Sequence, residues 1–295
     1  MHQRIMSGLP KADRLALVCV AACCAVAFGC AALLQMSWDP PLWRMLLAPA
    51  GLLLVAFAYR RLKPDETRLS QIPLYIALWL AASVAGVQLT FITNTLNFPL
   101  QSETFFAMDR ALGFDWAEWA KFNFANPWLA QFSSLAYKSH VFQPVAAVLI
   151  VAFFGPRDRN ANLVITKLIA LALMLAISAV LPALEPGYYY GYNTPAAEAM
   201  IALREGQRMD LQYIGIVCFP SFHTVMAVIY VTVYRGMPIP LAISLVINLC
   251  MLFSIPFAGD HYLVDVIAGF ALALFAQWLA TKITRRMRRS EHEVA

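Results

Sequence analysis

His223, His261 and Asp265 are the residues around which a reaction could be built. His223 stands in C-F-P-S-F-H-T (Cys218–Thr224) and His261 in G-D-H-Y-L-V-D-V-I-A-G (Gly259–Gly269), each heading an apolar stretch. Asp265 follows His261 at i+4, which on a helix puts both side chains on one face, one turn apart. An imidazole backed by a carboxylate has its tautomer fixed and acts as nucleophile or base. A second imidazole nearby supplies the acid. The spacing predicts a catalytic pair of histidines steered by one carboxylate.

The elements that hold them are membrane helices. Charged residues make up 13% of the 295-residue chain and apolar residues 61%, against roughly 25% charged in soluble domains. This composition predicts an all-α, polytopic membrane bundle. A formal net charge of +5 offers nothing for nucleic acid. Eight apolar spans are expected: Leu15–Gln35, Leu42–Tyr59, Ile72–Ile92, Ser134–Phe154, Leu163–Leu181, Pro220–Tyr234, Pro238–Pro256 and Tyr262–Thr281. Each lies near the ~20 residues that a bilayer requires, the sixth being short. The first is too long in its apolar core for a signal peptide and shows no clear cleavage site. Cys19, Cys23, Cys24, Cys30, Cys218 and Cys250 fit neither a disulfide framework nor zinc-site spacing and read as small packing residues.

Positive charge orients the bundle. Starting inside, the cytoplasmic segments collect sixteen of the 22 basic residues, among them Arg60, Arg61, Arg157, Arg159, Lys167, Arg235 and the Lys282–Arg289 cluster. Both termini are then cytoplasmic, and His223, His261 and Asp265 face the extracytoplasmic side of a plasma or inner membrane. Two outer connections are long. Asn97–Pro127 mixes aromatic and charged residues and reads either as a helix lying in the interface or as a short lid packed on the bundle. Pro182–Phe219, with Tyr188, Tyr189, Tyr190 and Tyr192, reads as a turn-rich interfacial segment. The expected organisation is residues 1–133 as N-terminal spans with the outer loop, 134–281 as the catalytic core, and 282–295 as a basic cytoplasmic tail.

The sixth and eighth spans present their N-termini to the same surface. Unpaired N–H groups and the positive dipole end make such termini phosphate sites. Pro220 suits a first helical turn, Ser221 offers a hydroxyl to a phosphate oxygen, and Asp260 is placed to cap the eighth helix behind Gly259. The dipoles also favour a neutral, nucleophilic His261.

P-S-F-H (Pro220–His223) followed by H-Y-L-V-D (His261–Asp265) resembles the second and third motifs of the type-2 phosphatidic acid phosphatase superfamily. The wording of Gly259–Gly269 is most similar to the inositol phosphorylceramide synthase-like branch, and the resemblance covers the chain from Ser134 onward. It implies a lipid phosphatase or phosphotransferase: His261 attacks phosphorus to give a phosphohistidine, Asp265 orients it, and His223 protonates the leaving alcohol. Water or a lipid alcohol acceptor then resolves the intermediate, with no metal and no cofactor. The implied partners are a lipid phosphate and the bilayer. Two departures stand out. The family's Arg six residues before the third-motif histidine is Ile255 here, and its first motif has no counterpart. Phosphoryl oxygens need donors, and Lys138 and His140 in Y-K-S-H, with Arg204 and Arg208, are the candidates on the outer face. The departures favour transfer over plain hydrolysis. Two other readings of the same residues are a zinc site on the two histidines and Asp265, and a proton-coupled carrier with a His/Asp relay. The absence of an internal repeat speaks against the carrier.

Overall fold

A peptide group in hydrocarbon has no water to bond, so each apolar run closes its hydrogen bonds along itself and becomes a helix. The computed structural model describes residues 9–38, 42–207, 210–211 and 214–292. Twelve α-helices run through them. In order they are α1 (Lys11–Leu33), α2 (Leu42–Leu62), α3 (Thr67–Asn94), α4 (Ser102–Ala111), α5 (Trp116–Ala125) and α6 (Pro127–Lys138). Then follow α7 (Gln143–Phe154), α8 (Arg159–Val180), α9 (Pro195–Arg204), α10 (Phe222–Thr232), α11 (Pro238–Ala258) and α12 (Leu263–His292). The only extended pairing among the described residues is a two-residue parallel match of β1 (Ser37–Trp38) with β2 (Asp210–Leu211).

Among the described residues six helices are long and apolar enough to cross a membrane: α1, α2, α3, α8, α11 and α12. Helices α6 and α7 meet at 48° and make a seventh passage when taken as one broken span. The protein is an all-helical, multi-pass membrane protein. The break follows from a 3₁₀ turn at Ser139–Val141 and from Pro144 in the first turn of α7, which withholds an N–H where a continuous helix would need one. The sixth of the eight expected spans is shorter than the sequence suggests. Helix α10 has 11 residues, about 16 Å at ~1.5 Å per residue, roughly half of a ~30 Å hydrocarbon core. Ser221 caps its start, and a turn with Gly236 at φ 82° ends it before Pro238. The basic segment expected as a separate tail continues α12 as helix as far as His292.

Between helices in lipid the hydrophobic effect contributes little, so close approach of small residues and buried polar bonds must do the joining. Helix α1 illustrates this. Its buried face is Ala12, Ala16, Val20, Ala27 and Ala31, a small-residue row that lets α3 and α8 approach, while Asp13 accepts a 2.6 Å bond from Tyr75. Helices α3 and α8 form the centre, with over half of their apolar windows buried, whereas α2 keeps 11% buried and turns Leu47, Leu54 and Val55 outward. The core joins α1, α3, α7, α8, α10 and α12, with Ala56 from α2. Gly269 brings α10 and α12 together: a Cβ there would lie 2.4 Å from the Ser221 carbonyl oxygen.

The outer connection between α3 and α6 is a lid rather than a free interfacial helix. Helices α4 and α5 hinge at Gly113, φ 76°, and Asp115 caps α5. Phe105 stacks on Phe219 at 4.3 Å, and the Trp116 indole N–H donates to the Pro256 carbonyl at 2.7 Å. The later connection contains a 3₁₀ turn at Pro186–Tyr190 and helix α9, which the turn-rich reading omits.

Candidate active site

His261 lies two residues ahead of α12, not on it, and Asp260 beside it takes φ 50°. The expected i+4 pair still forms, across an irregular turn: His261 Nδ1 is 3.0 Å from Asp265 Oδ2. That oxygen also accepts the Tyr262 N–H at 3.0 Å and the Cys218 S–H at 3.0 Å. All three side chains are buried. Cys218 therefore does more than pack. Burial first, and the neighbouring Asp265 charge second, push its thiol well above the usual value, so it remains a donor. Gly259 is required by close approach: a Cβ there would meet the Tyr137 ring at 2.7 Å and the His261 ring at 3.0 Å.

The cap of α12 comes from a distant residue. Asp109 of α4 accepts the Leu263 N–H at 2.9 Å and the Val264 N–H at 3.0 Å. Asp260, expected in that role, accepts the Gly187 N–H at 2.8 Å instead. The first N–H groups of α12 are thus engaged within the chain and do not form the expected anion cradle. Helix α10 differs. Ser221 accepts the Thr224 N–H at 3.4 Å, but the N–H groups of Phe222 and His223 make no hydrogen bond among the described residues. Pro220 precedes the cap rather than occupying the first turn.

His223 sits in the first turn of α10, its Nδ1 2.9 Å from the Tyr137 hydroxyl. Its ring centroid is 6.3 Å from that of His261 and 4.7 Å from that of His140. Both catalytic candidates therefore have Nδ1 held by a partner. Both line a cavity of about 610 Å³, which they share with Tyr137, His140 and Glu185 and which runs inward along α3, α8 and α10 between mostly apolar walls.

The charge around His261 is acidic. Burial alone would lower its pKa, but the Asp265 hydrogen bond and the Asp265, Glu185 and Asp260 charges outweigh it and hold the imidazole above its ordinary value. The expected neutral bias from the helix dipole is overridden, because Asp109 satisfies that terminus while three carboxyl groups lie close by. Burial, then repulsion from Glu185, pushes Asp260 up to about 7 despite the Gly187 N–H. Burial also raises Glu185, which accepts a short hydrogen bond from Thr194.

Of the phosphate-binding candidates among the described residues, only His140 lines the cavity. Lys138 is exposed at the end of α6 and points elsewhere. Ser221 is fully buried, engaged as a cap and not part of the cavity wall. Arg204 donates to the Phe98 carbonyl at 2.8 Å, tying α9 to the loop after α3, away from the cavity. Arg208 lies outside the described residues. Ile255, in the place of the family's arginine, is fully buried in α11. Among the described residues the one lysine or arginine lining the cavity is Lys167, which charge counting places with the cytoplasmic residues. Its position inside an apolar span was the signal for a different role. Tyr137 and Cys218 adjoin motif residues in sequence, whereas nothing local marks Asp109.

A metal ion is a further possibility for the donor set, though not the one expected. Cys218 Sγ, His261 Nδ1 and Asp265 Oδ2 lie within 4.8 Å of one another, while His223 stays outside the group. The S–H and N–H donors facing Oδ2 already account for this spacing, so the residues do not require a metal.

No curated protein and no solved structure matches the chain. Residues 103–279 match the PAP2 superfamily. The match begins within α4, earlier than the motifs alone indicate, and so includes the lid whose Asp109 caps α12. With its match covering more than half of the chain's length, the chain belongs to the PAP2 superfamily.

Proposed function

We propose that the protein transfers a phosphoryl or phospho-headgroup from a lipid phosphoester, through a phosphohistidine on His261, to a lipid alcohol or water. The observation that carries this reading is the pairing of the imidazoles. Their rings are 6.3 Å apart, each Nδ1 has its own partner, and both rings line one apolar cavity. Nε2 of each ring is then the reacting nitrogen. The His261 Nε2 lone pair attacks phosphorus, the bond from phosphorus to the leaving oxygen breaks, and His223 gives that oxygen a proton. The positive charge gained by His261 is stabilised by Asp265 through Nδ1–H. In the second half the incoming alcohol or water loses its proton to His223, its oxygen attacks phosphorus, and the P–N bond breaks. The free N–H groups at the start of α10, with His140, are suited to receive the phosphoryl oxygens.

Transfer is favoured over simple phosphatase action. A phosphomonoester dianion meets Glu185 in the cavity wall, with no arginine among the described residues that line it, whereas a phosphodiester brings one negative charge fewer. This agrees with the likeness to the inositol phosphorylceramide synthase-like branch. The site is inferred to open on the extracytoplasmic face, with both termini inside. Acid-labile ³²P labelling with a panel of lipid phosphoesters tests the mechanism. Wild-type protein should take up label and release it to water or to an added lipid alcohol, and His261→Ala should take up none. Normal turnover by His261→Ala would refute the assignment.

A further inference from the structure

Lys167 projects from α8 into the bundle and is 3% exposed. Its ammonium donates to the Trp79 carbonyl at 3.1 Å and to the Ser83 hydroxyl at 2.5 Å, and it lies 4.0 Å from the centre of the Trp79 ring. No carboxylate forms an ion pair with it among the described residues. A charge at this depth is costly unless something answers it. The ammonium carries three N–H donors, and two of them have the acceptors just named. The side chain lines the same cavity as His223 and His261.

The distance between the two ends of that cavity can be read from the helices. On α10 the wall runs from His223 to Tyr230, about 10 Å at ~1.5 Å per residue. The Tyr230 ring lies 5.9 Å from the Trp79 ring under Lys167. On α3 the ammonium bonds at Trp79 and, one turn nearer the histidines, at Ser83. The remaining donor is therefore a handful of chemical bonds below the reacting phosphorus. In a lipid phosphoester this is the level of the linkage between headgroup backbone and chains. The walls beyond it are apolar, as chains require.

We propose that Lys167 is a specificity-determining residue: it donates its third hydrogen bond to the ester or amide carbonyl of the lipid chain linkage, with the chain lying in the cavity. A carbonyl answers one donor and leaves the Trp79 and Ser83 bonds intact. A chain attached by an ether offers a weaker acceptor at that place. The inference rests on the lipid-phosphoester reading above, and it concerns binding rather than the chemical step.

The test uses full-length His261→Ala protein in detergent micelles, so that turnover does not interfere. Binding of diacyl phosphatidylglycerol, a phosphodiester lipid, is compared with that of its dialkyl ether analogue of equal chain length. The ester should bind about tenfold more tightly, and Lys167→Met should bring the two to equality by weakening the ester alone. Lys167→Gln, which keeps an N–H donor, should retain part of the preference and serves if the methionine variant does not fold. Equal binding of ester and ether by the unsubstituted cavity would overturn the proposal, as would an undiminished preference in Lys167→Met. Failure of the chemical reading appears elsewhere, as label uptake by His261→Ala, and leaves the ester-to-ether ratio informative.

Discussion

At the scale of single residues the site is organised around one carboxylate oxygen. Asp265 Oδ2 receives an imidazole N–H, a peptide N–H and a thiol S–H, while Oδ1 is buried without a hydrogen-bond partner among the described residues. Each added donor spreads the carboxylate charge and weakens its hold on a protonated His261. Removing the thiol should therefore strengthen that hold. Cys218→Ala is expected to move the acid limb of the kcat/KM profile to higher pH by a few tenths of a unit, with a loss of at most about twofold at neutral pH, because less His261 is neutral there. Cys218→Ser keeps a donor and should restore the wild-type profile; identical profiles for all three proteins would reduce Cys218 to a packing residue. Asp260 makes a second prediction. Its folded-state pKa of about 7 lies above the ordinary 3.8, so the stability it contributes is full below the ordinary value and is lost as pH rises through 7. At ~1.36 kcal/mol per unit the loss is bounded at about 4 kcal/mol. Asp260→Asn keeps an acceptor for Gly187 and cannot ionise. Its thermal midpoint in detergent should fall less steeply from pH 5 to 8.5 than that of the wild type. Parallel curves would contradict the assignment.

At the scale of elements, the local signals succeeded where a residue's partner is near in sequence and failed where it is not. The i+4 relation of His261 and Asp265 was legible because four residues allow few geometries, even though an irregular turn and not a helix face delivers the contact. The cap of α12 was not legible. Asp260 was the nearest acid, but its positive φ turns it toward Gly187, and Asp109 arrives from a separation of 154 residues. For the same reason Lys138 and Ser221 read as phosphate ligands from their neighbourhood, while burial and capping took one and exposure the other. The lid consequently has a measurable duty. Asp109→Ala leaves two N–H groups of α12 unanswered, a loss of about 1–2 kcal/mol for a helix cap, and loosens the turn that carries His261. We expect a lower thermal midpoint together with a fall in kcat, and faster proteolysis of the 97–127 connection. Asp109→Asn, which retains one acceptor oxygen, should fall between. A variant as active and as stable as wild type would show that the lid does not position the catalytic turn.

At the scale of the whole molecule, eight apolar runs were legible because span length and low charge are properties of each run alone. What escaped was how much of each run is helix. Helix α10 stops at 11 residues because its cap and the approach to Pro238 bound it, and the α6–α7 passage bends where a 3₁₀ turn meets Pro144. The proposed sidedness combines charge with geometry. Helix α12 carries His261 just before its start and exposed Arg285, Arg286, Arg288 and Arg289 near its end. Between Leu263 and Arg285 the helix rises about 33 Å at ~1.5 Å per residue, more than the ~30 Å hydrocarbon layer. The catalytic turn and the arginines must then lie at opposite surfaces. Basic residues favour the cytoplasmic one, which supports the proposed placing of the reaction at the other. In sealed right-side-out vesicles a membrane-impermeant phosphate ester should be turned over at the full rate before any detergent is added. A cysteine placed in the 286–290 region should react with an impermeant maleimide only after the vesicles are opened. Turnover that waits for detergent, together with immediate labelling of that cysteine, would invert the whole arrangement while leaving the chemistry of the two histidines untouched.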